Sequence, residues 1–293
     1  MTTMLSKYEN LTQTRAVDPG AIRRAADNRV KASLVPTDGR LMIIACDHPA
    51  RGANGVGNRP LAMAGRGDLL DRLQTALSRP GVDGLLGSPD IIEDLLLLGA
   101  LEGKVVFGSM NRGGLQGAAF ELDDAFTGYD ARGIADMGLN GGKTLTRIAL
   151  DDPGTVQTMQ DTAHAVNELA DRGLAAMVEP FWSSRVDGKV RNDLSPDAVI
   201  KSIGVSSALG RSTAHTWLKL PVVPEMDRVM ASTTFPTLLL GGDPDANPEE
   251  TFASWRAALQ RPAVRGLVVG RTLLYPADDD VAAAVDTAAA MVR

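Results

Sequence analysis

The chain is 293 residues long, 44% hydrophobic and 23% charged, with 30 basic against 36 acidic side chains and a formal net charge of −6. This balance excludes long disorder and gives no basic face for nucleic acid, and no apolar run approaches the roughly 18 residues of a membrane-spanning helix. One cysteine, Cys46, cannot make an internal disulfide, and with only His48, His164 and His215 it leaves too few soft ligands for a zinc site. Residues 1–18 are polar and mixed in charge, with no leader-like apolar core, so a cytoplasmic protein is expected.

A helix is predicted over 19–32, placed to cover one end of the fold. From there, short apolar runs rich in β-branched residues alternate with segments of helical period. The predicted strands are 41–46, 83–86, 105–108, 144–150, 174–178, 216–220, 237–240 and 266–269. Between them, 68–77 sets Leu69, Leu70, Leu73 and Leu77 on one helical face, and Ser88-Pro89, Asp152-Pro153, Ser195-Pro196 and Asn247-Pro248 read as helix starts. The segment 224–232 is too short for a good helix, and 278–292 closes the chain.

Eight β–α units with nearly continuous apolar strands imply parallel strands covered on both sides. At this length the expected architecture is one (β/α)8 TIM barrel over 1–293, with 1–40 as an N-terminal extension under it. An open doubly wound sheet is the rival. It wants a glycine-rich dinucleotide turn after the first strand, where the chain reads Asp47-His48-Pro49-Ala50-Arg51-Gly52.

A barrel carries its site at the carboxyl ends of its strands. There the sequence places Asp47, Asn111 with Arg112, Arg147, Glu179, Lys219, Gly241-Gly242 and Gly270-Arg271. Lys219 lies inside a predicted buried strand, Trp217-Leu218-Lys219-Leu220. Such a lysine either pairs inertly with a carboxylate or gives up its proton and becomes a nucleophile toward a carbonyl. Asp47 and Glu179 are the carboxylates for proton transfer or for that pairing. Alternation sets Asp47 opposite Cys46 and His48, with His48 contacting substrate or only its own turn. The glycine pairs either make tight turns or, with Arg271, hold a phosphate. Lys143 falls near the start of the fourth strand, at the end away from chemistry.

In this order, Ile44-Ala45-Cys46-Asp47-His48, Trp217-Leu218-Lys219, Leu240-Gly241-Gly242 and Val269-Gly270-Arg271 resemble class I (Schiff-base) aldolases over roughly residues 41–276. The group includes deoxyribose-phosphate, archaeal-type fructose-bisphosphate and tagatose-bisphosphate aldolases, and inositol-catabolism barrels. The resemblance implies Lys219 as the imine-forming lysine, Glu179 and Asp47 as proton carriers, and no metal or cofactor. Gly241, Gly242, Gly270 and Arg271 would hold a phosphate, and Arg147 a carboxylate or second phosphate. Asn111, Arg112 and His48 would touch the rest of a small phosphorylated sugar or sugar acid. It also implies a homo-oligomer. The expected reaction is cleavage of a phosphorylated keto sugar or keto sugar acid, with 2-deoxy-5-keto-gluconate 6-phosphate giving dihydroxyacetone phosphate and malonate semialdehyde as the specific expectation. The tyrosine acid of the archaeal enzymes has no counterpart among Tyr8, Tyr129 and Tyr275. Two other readings stand beside this one: a coenzyme A-dependent acyl transferase using the same lysine, and a non-catalytic phosphosugar-binding barrel.

Overall fold

The structure, a computed structural model, describes residues 2–111, 114–242 and 247–293. Its strands are β1 (Leu41–Cys46), β2 (Gly84–Gly87), β3 (Val105–Ser109), β4 (Gly141–Ile148), β5 (Ala175–Val186), β6 (Lys189–Asp193), β7 (Thr216–Leu220), β8 (Thr237–Leu240) and β9 (Val264–Val269). Among the described residues, eight of them run parallel in the order β4-β3-β2-β1-β9-β8-β7-β5, and β4 pairs with β5 to close the ring. This is a (β/α)8 TIM barrel.

Alternation along each strand divides the apolar residues between two cores. Leu41, Ile43 and Ala45 face inward with Phe107, Met177, Trp217 and Leu238, while Met42, Ile44 and Cys46 face outward under the helices. The helices form where side chains serve both as caps and as core. Leu69, Leu70, Leu73 and Leu77 of the helix Arg66–Ser78 are all buried. Ser195 caps Pro196–Ser207 by accepting from the Ala198 amide, and Asp280 caps Val281–Val292 by accepting from the Ala283 amide.

The structure refines three expectations. First, the helix expected over 19–32 is present as Gly20–Asn28, and an additional helix, Thr2–Val17, precedes it, the two separated at Asp18-Pro19. They lie on the flank rather than beneath the barrel: Tyr8 donates to Asp71 at 2.7 Å, and Arg15 pairs with Glu93 at 2.9 Å and Asp94 at 2.8 Å. The segment after them reaches the bottom, where Ala32 and Leu34 pack on the inner core. Second, 224–232, too short for a good helix, holds only the single turn Met226–Met230. Third, β5 continues well past 178 and turns back as β6, an antiparallel arm. Its turn is Asp187-Gly188, both residues at positive φ (50° and 73°), which matches the twist of a two-residue hairpin.

Arg29 ties the N-terminal segment to the barrel bottom. Its buried guanidinium donates to the carbonyls of Lys104 (3.1 Å) and Gly138 (2.8 Å), just ahead of β3 and β4. Replacing it by methionine leaves those carbonyls without their donor, so Arg29→Met should lower stability by about 2–3 kcal/mol in urea unfolding.

Candidate active site

The inward positions of each strand change from apolar to polar toward the carboxyl end. Ala45 is followed by Asp47, Phe107 by Ser109, Met177 by Glu179 and Trp217 by Lys219. Asp47, Glu179 and Lys219 meet at the floor of a cavity of about 400 Å³. On that floor Lys143 Nζ lies 3.0 Å from Asp47 Oδ2 and 2.6 Å from Glu179 Oε2, and Lys219 Nζ lies 2.8 Å from Glu179 Oε1. Ser109 Oγ donates to Asp47 Oδ2 at 3.3 Å. All four charged groups are buried, and their charges alternate.

Burial alone would raise the Asp47 carboxyl, but Lys143 and then Lys219 more than reverse this and hold it well below the usual carboxylate range. Burial opposes ionisation of Glu179 too, yet Lys143 and then Lys219 bring it down to about 2. Lys143 is penalised by burial and is nevertheless raised by its two carboxylates, so it stays charged. His48 is driven the other way. Burial, helped by Arg271 and Arg51, lowers it to about 3 against the pull of Asp47, so its imidazole is neutral. Cys46 lies outside the site, and burial pushes its thiol well above its ordinary value.

The second pole of the cavity is built from the turns after β8 and β9. Gly241, Gly242, Gly270 and Arg271 all line it. A side chain at Gly270 would strike the Ala45 carbonyl at 2.4 Å, and Gly242 sits at a φ of 75°. The turns therefore need glycine for their own geometry as well as presenting bare backbone to the cavity.

Several expected site residues are placed differently. Lys143, expected at the end of its strand away from the chemistry, is the centre of the charge network. The barrel's stagger explains this: Lys143 is level with Ser109, the last residue of β3. Asn111 does not face the cavity. Its amide is buried and spent on the backbone, donating to Asp124 O at 2.9 Å and Leu145 O at 2.7 Å. Arg147 lines the cavity, but its guanidinium is forked onto Asp124 at 2.6 and 2.9 Å, and it also bonds the Glu121 carbonyl. Its charge is met within the protein, which removes it as a substrate anchor. Arg112 lies outside the described residues. His48 lines the same cavity as Asp47 rather than the opposite face, because β1 ends at Cys46 and the chain turns there. Tyr129 and Tyr275 pack among the outer-core helices and do not line the cavity.

Sequence reasoning also passed over Arg51, over Phe181, Asn192 and Leu194 of the β5–β6 arm, and over Thr251 and Ser254, all of which line the cavity. The Asp187-Gly188 turn signal could have revealed the arm. Among the described residues, no group of three or more His, Cys, Asp or Glu side chains is arranged to hold a metal, and no helix is long and apolar enough to cross a membrane.

Fold and site together define a (β/α)8-barrel protein with a buried lysine–carboxylate row at its mouth. The chain belongs to the Cgl0159-like family, whose sequence profile matches residues 39–289. It is similar to the crystal structure of Cgl0159 from Corynebacterium glutamicum (Brevibacterium flavum), at 57% identity and a TM-score of 0.96, covering 98% of this chain and 97% of that one. More distantly, it shares its fold with a fructose-bisphosphate aldolase from Slackia heliotrinireducens (13% identity, TM-score 0.68, covering 94% and 87%). It also shares it with an archaeal fructose-1,6-bisphosphate aldolase whose catalytic lysine is covalently bound to a carbinolamine intermediate (17% identity, TM-score 0.63, covering 92% and 99%). No curated protein matches the sequence.

The charge row has a pH signature. A carboxylate with a depressed pKa stabilises the fold above its unfolded value of 4.5, and that contribution is lost as the pH falls towards about 2. In Lys143→Met the Glu179 carboxyl keeps its burial and its repulsion from Asp47 but loses its strongest cation. Its titration midpoint, followed by carbon-13 NMR, should rise from about 2 by more than one unit.

Proposed function

We propose that the chain is a class I aldolase that cleaves a phosphorylated keto sugar or keto sugar acid through an imine on Lys219. The reading rests on one observation: Lys219 and Lys143 share Glu179 on the floor of the cavity, and only Lys143 has a second carboxylate. Freeing Lys219 as an amine breaks one ion pair, whereas freeing Lys143 breaks two. Lys219 is therefore the nucleophile, and Lys143 remains a fixed cation.

The chemistry follows from these distances. The Lys219 ammonium first passes a proton to Glu179, 2.8 Å away, and the freed amine adds to the substrate carbonyl. One proton moves from nitrogen to oxygen to give the carbinolamine, and Glu179 returns its own proton to that hydroxyl, which leaves as water and yields the iminium. The iminium then accepts the electron pair of the breaking carbon–carbon bond. Asp47 takes the proton of the substrate hydroxyl, because its Oδ1 carries no hydrogen bond among the described residues while Oδ2 is held by Lys143 and Ser109. Protonation of the enamine and hydrolysis of the imine release the second product. The glycine turns and Arg271 receive the phosphate, where bare amides and a guanidinium face the cavity. The covalently bound lysine of the archaeal aldolase supports the reading, and cleavage of 2-deoxy-5-keto-gluconate 6-phosphate is its most specific form.

The Lys219–Glu179 pair is also what an inert structural lysine would make, so the decisive experiment is chemical. Borohydride reduction with dihydroxyacetone phosphate should leave a mass adduct on the peptide carrying Lys219 and none in Lys219→Met, and that variant should lose at least about a thousandfold in cleavage rate. A wild-type chain without the adduct, or a Lys219→Met chain that still turns over, sinks the proposal.

A further inference from the structure

One face of the β5–β6 arm forms a wall of the cavity. The arm's register sets Ser183 opposite Asn192. Phe181 stands two residues before Ser183 and Leu194 two after Asn192, so alternation puts all four on the same face. Phe181, Asn192 and Leu194 of this face line the cavity, whereas Ser184 and Arg191 pair on the opposite one. Phe181 and Ser183 are buried, and Asn192 and Leu194 stand exposed at the rim.

The buried Ser183 hydroxyl donates to Asn192 Oδ1 at 2.8 Å. That bond orients the amide. Its oxygen is turned to the serine, and the two N–H groups of Nδ2 are bonded to no described residue. The arm itself is tied down beyond this pair, where Arg185 donates to the Ala119 carbonyl at 2.8 Å. An oriented donor on a wall otherwise made of Phe181 and Leu194 is the arrangement that recognises one oxygen atom of a ligand.

Strand order places this donor relative to the chemistry. In the ring β7 stands between β5 and β8, so Lys219 has the arm on one side and the glycine turns on the other. A ketone joined to Lys219 with its phosphate at Gly242 and Arg271 directs its other half toward β5. That is the half released as the aldehyde.

We propose that Asn192, oriented by Ser183, determines specificity for the aldehyde half of the substrate by donating from Nδ2 to a hydroxyl or carboxylate oxygen carried there. The inference rests on the aldolase reading and adds to it a contact on the side of Lys219 away from the phosphate. Ser183 is a positioning residue, acting only through the amide.

Aldol addition of dihydroxyacetone phosphate to three aldehydes tests this. D-glyceraldehyde carries hydroxyls, malonate semialdehyde a carboxylate, and propanal neither. Asn192→Leu should lose at least about fivefold in kcat/KM for an oxygen-bearing aldehyde and keep propanal within about twofold, and whichever aldehyde falls identifies the oxygen. Ser183→Ala should lose about threefold for that same aldehyde and nothing further when added to Asn192→Leu, a coupling that a merely structural serine would not show. Ser184→Ala, on the opposite face, should leave all three aldehydes unchanged. An Asn192→Leu chain that loses all three equally, or none, overturns the proposal, as does an additive loss in the double variant. Borohydride trapping of dihydroxyacetone phosphate reads the ketone half alone. An adduct on Lys219 without discrimination among the aldehydes removes only the role of Asn192, whereas a missing adduct in wild type removes the aldolase reading and this inference with it.

Discussion

Two ammonium groups and two carboxylates lie in one buried row, and the row exists only because its members come from four different strands. Asp47 follows β1, Lys143 belongs to β4, Glu179 to β5 and Lys219 to β7. Each charge alone would lose several kcal/mol on leaving water, and each is compensated only when its neighbours arrive from across the ring. The pairing of β4 with β5 is what brings Lys143 to Glu179. Closing the barrel and assembling the site are thus one event. An open sheet would leave the same side chains inside without partners.

The interior below the row answers to it. Phe107, Met177 and Trp217 fill the lower barrel with apolar bulk, so the low dielectric beneath the ions strengthens their mutual attraction. Above the row the wall is different on each side. Glycine turns and two arginines stand after β1, β8 and β9, while Phe181, Asn192 and Leu194 of the arm present a neutral face across from them. A ligand held by charge at one side is packed, without charge, at the other.

Much of the barrel was legible in the sequence, because strand alternation and helix caps are local. The inward set Leu41, Ile43, Ala45 and Asp47 follows from period two alone, and so does the outward place of Cys46. What was not legible depends on height and on partnership. Lys143 looked misplaced because distance along a strand is not height in a sheared barrel. Arg147 and Asn111 looked available because their partners, Asp124 and the backbone at Leu145, are brought to them by a loop whose path no periodicity records. Arg51 escaped notice for the converse reason: it lines the cavity from the turn after β1, and no periodicity of the sequence marks that position.

The lone cysteine ends with a use that composition did not suggest. Cys46 is sealed beneath the helices, and its thiol is held in the unreactive protonated form. To maleimides and spin labels the native surface is therefore silent. A cysteine introduced at the arm's exposed tip, at Lys189, becomes the one addressable thiol, and a probe there reports the arm's motion without any background to remove.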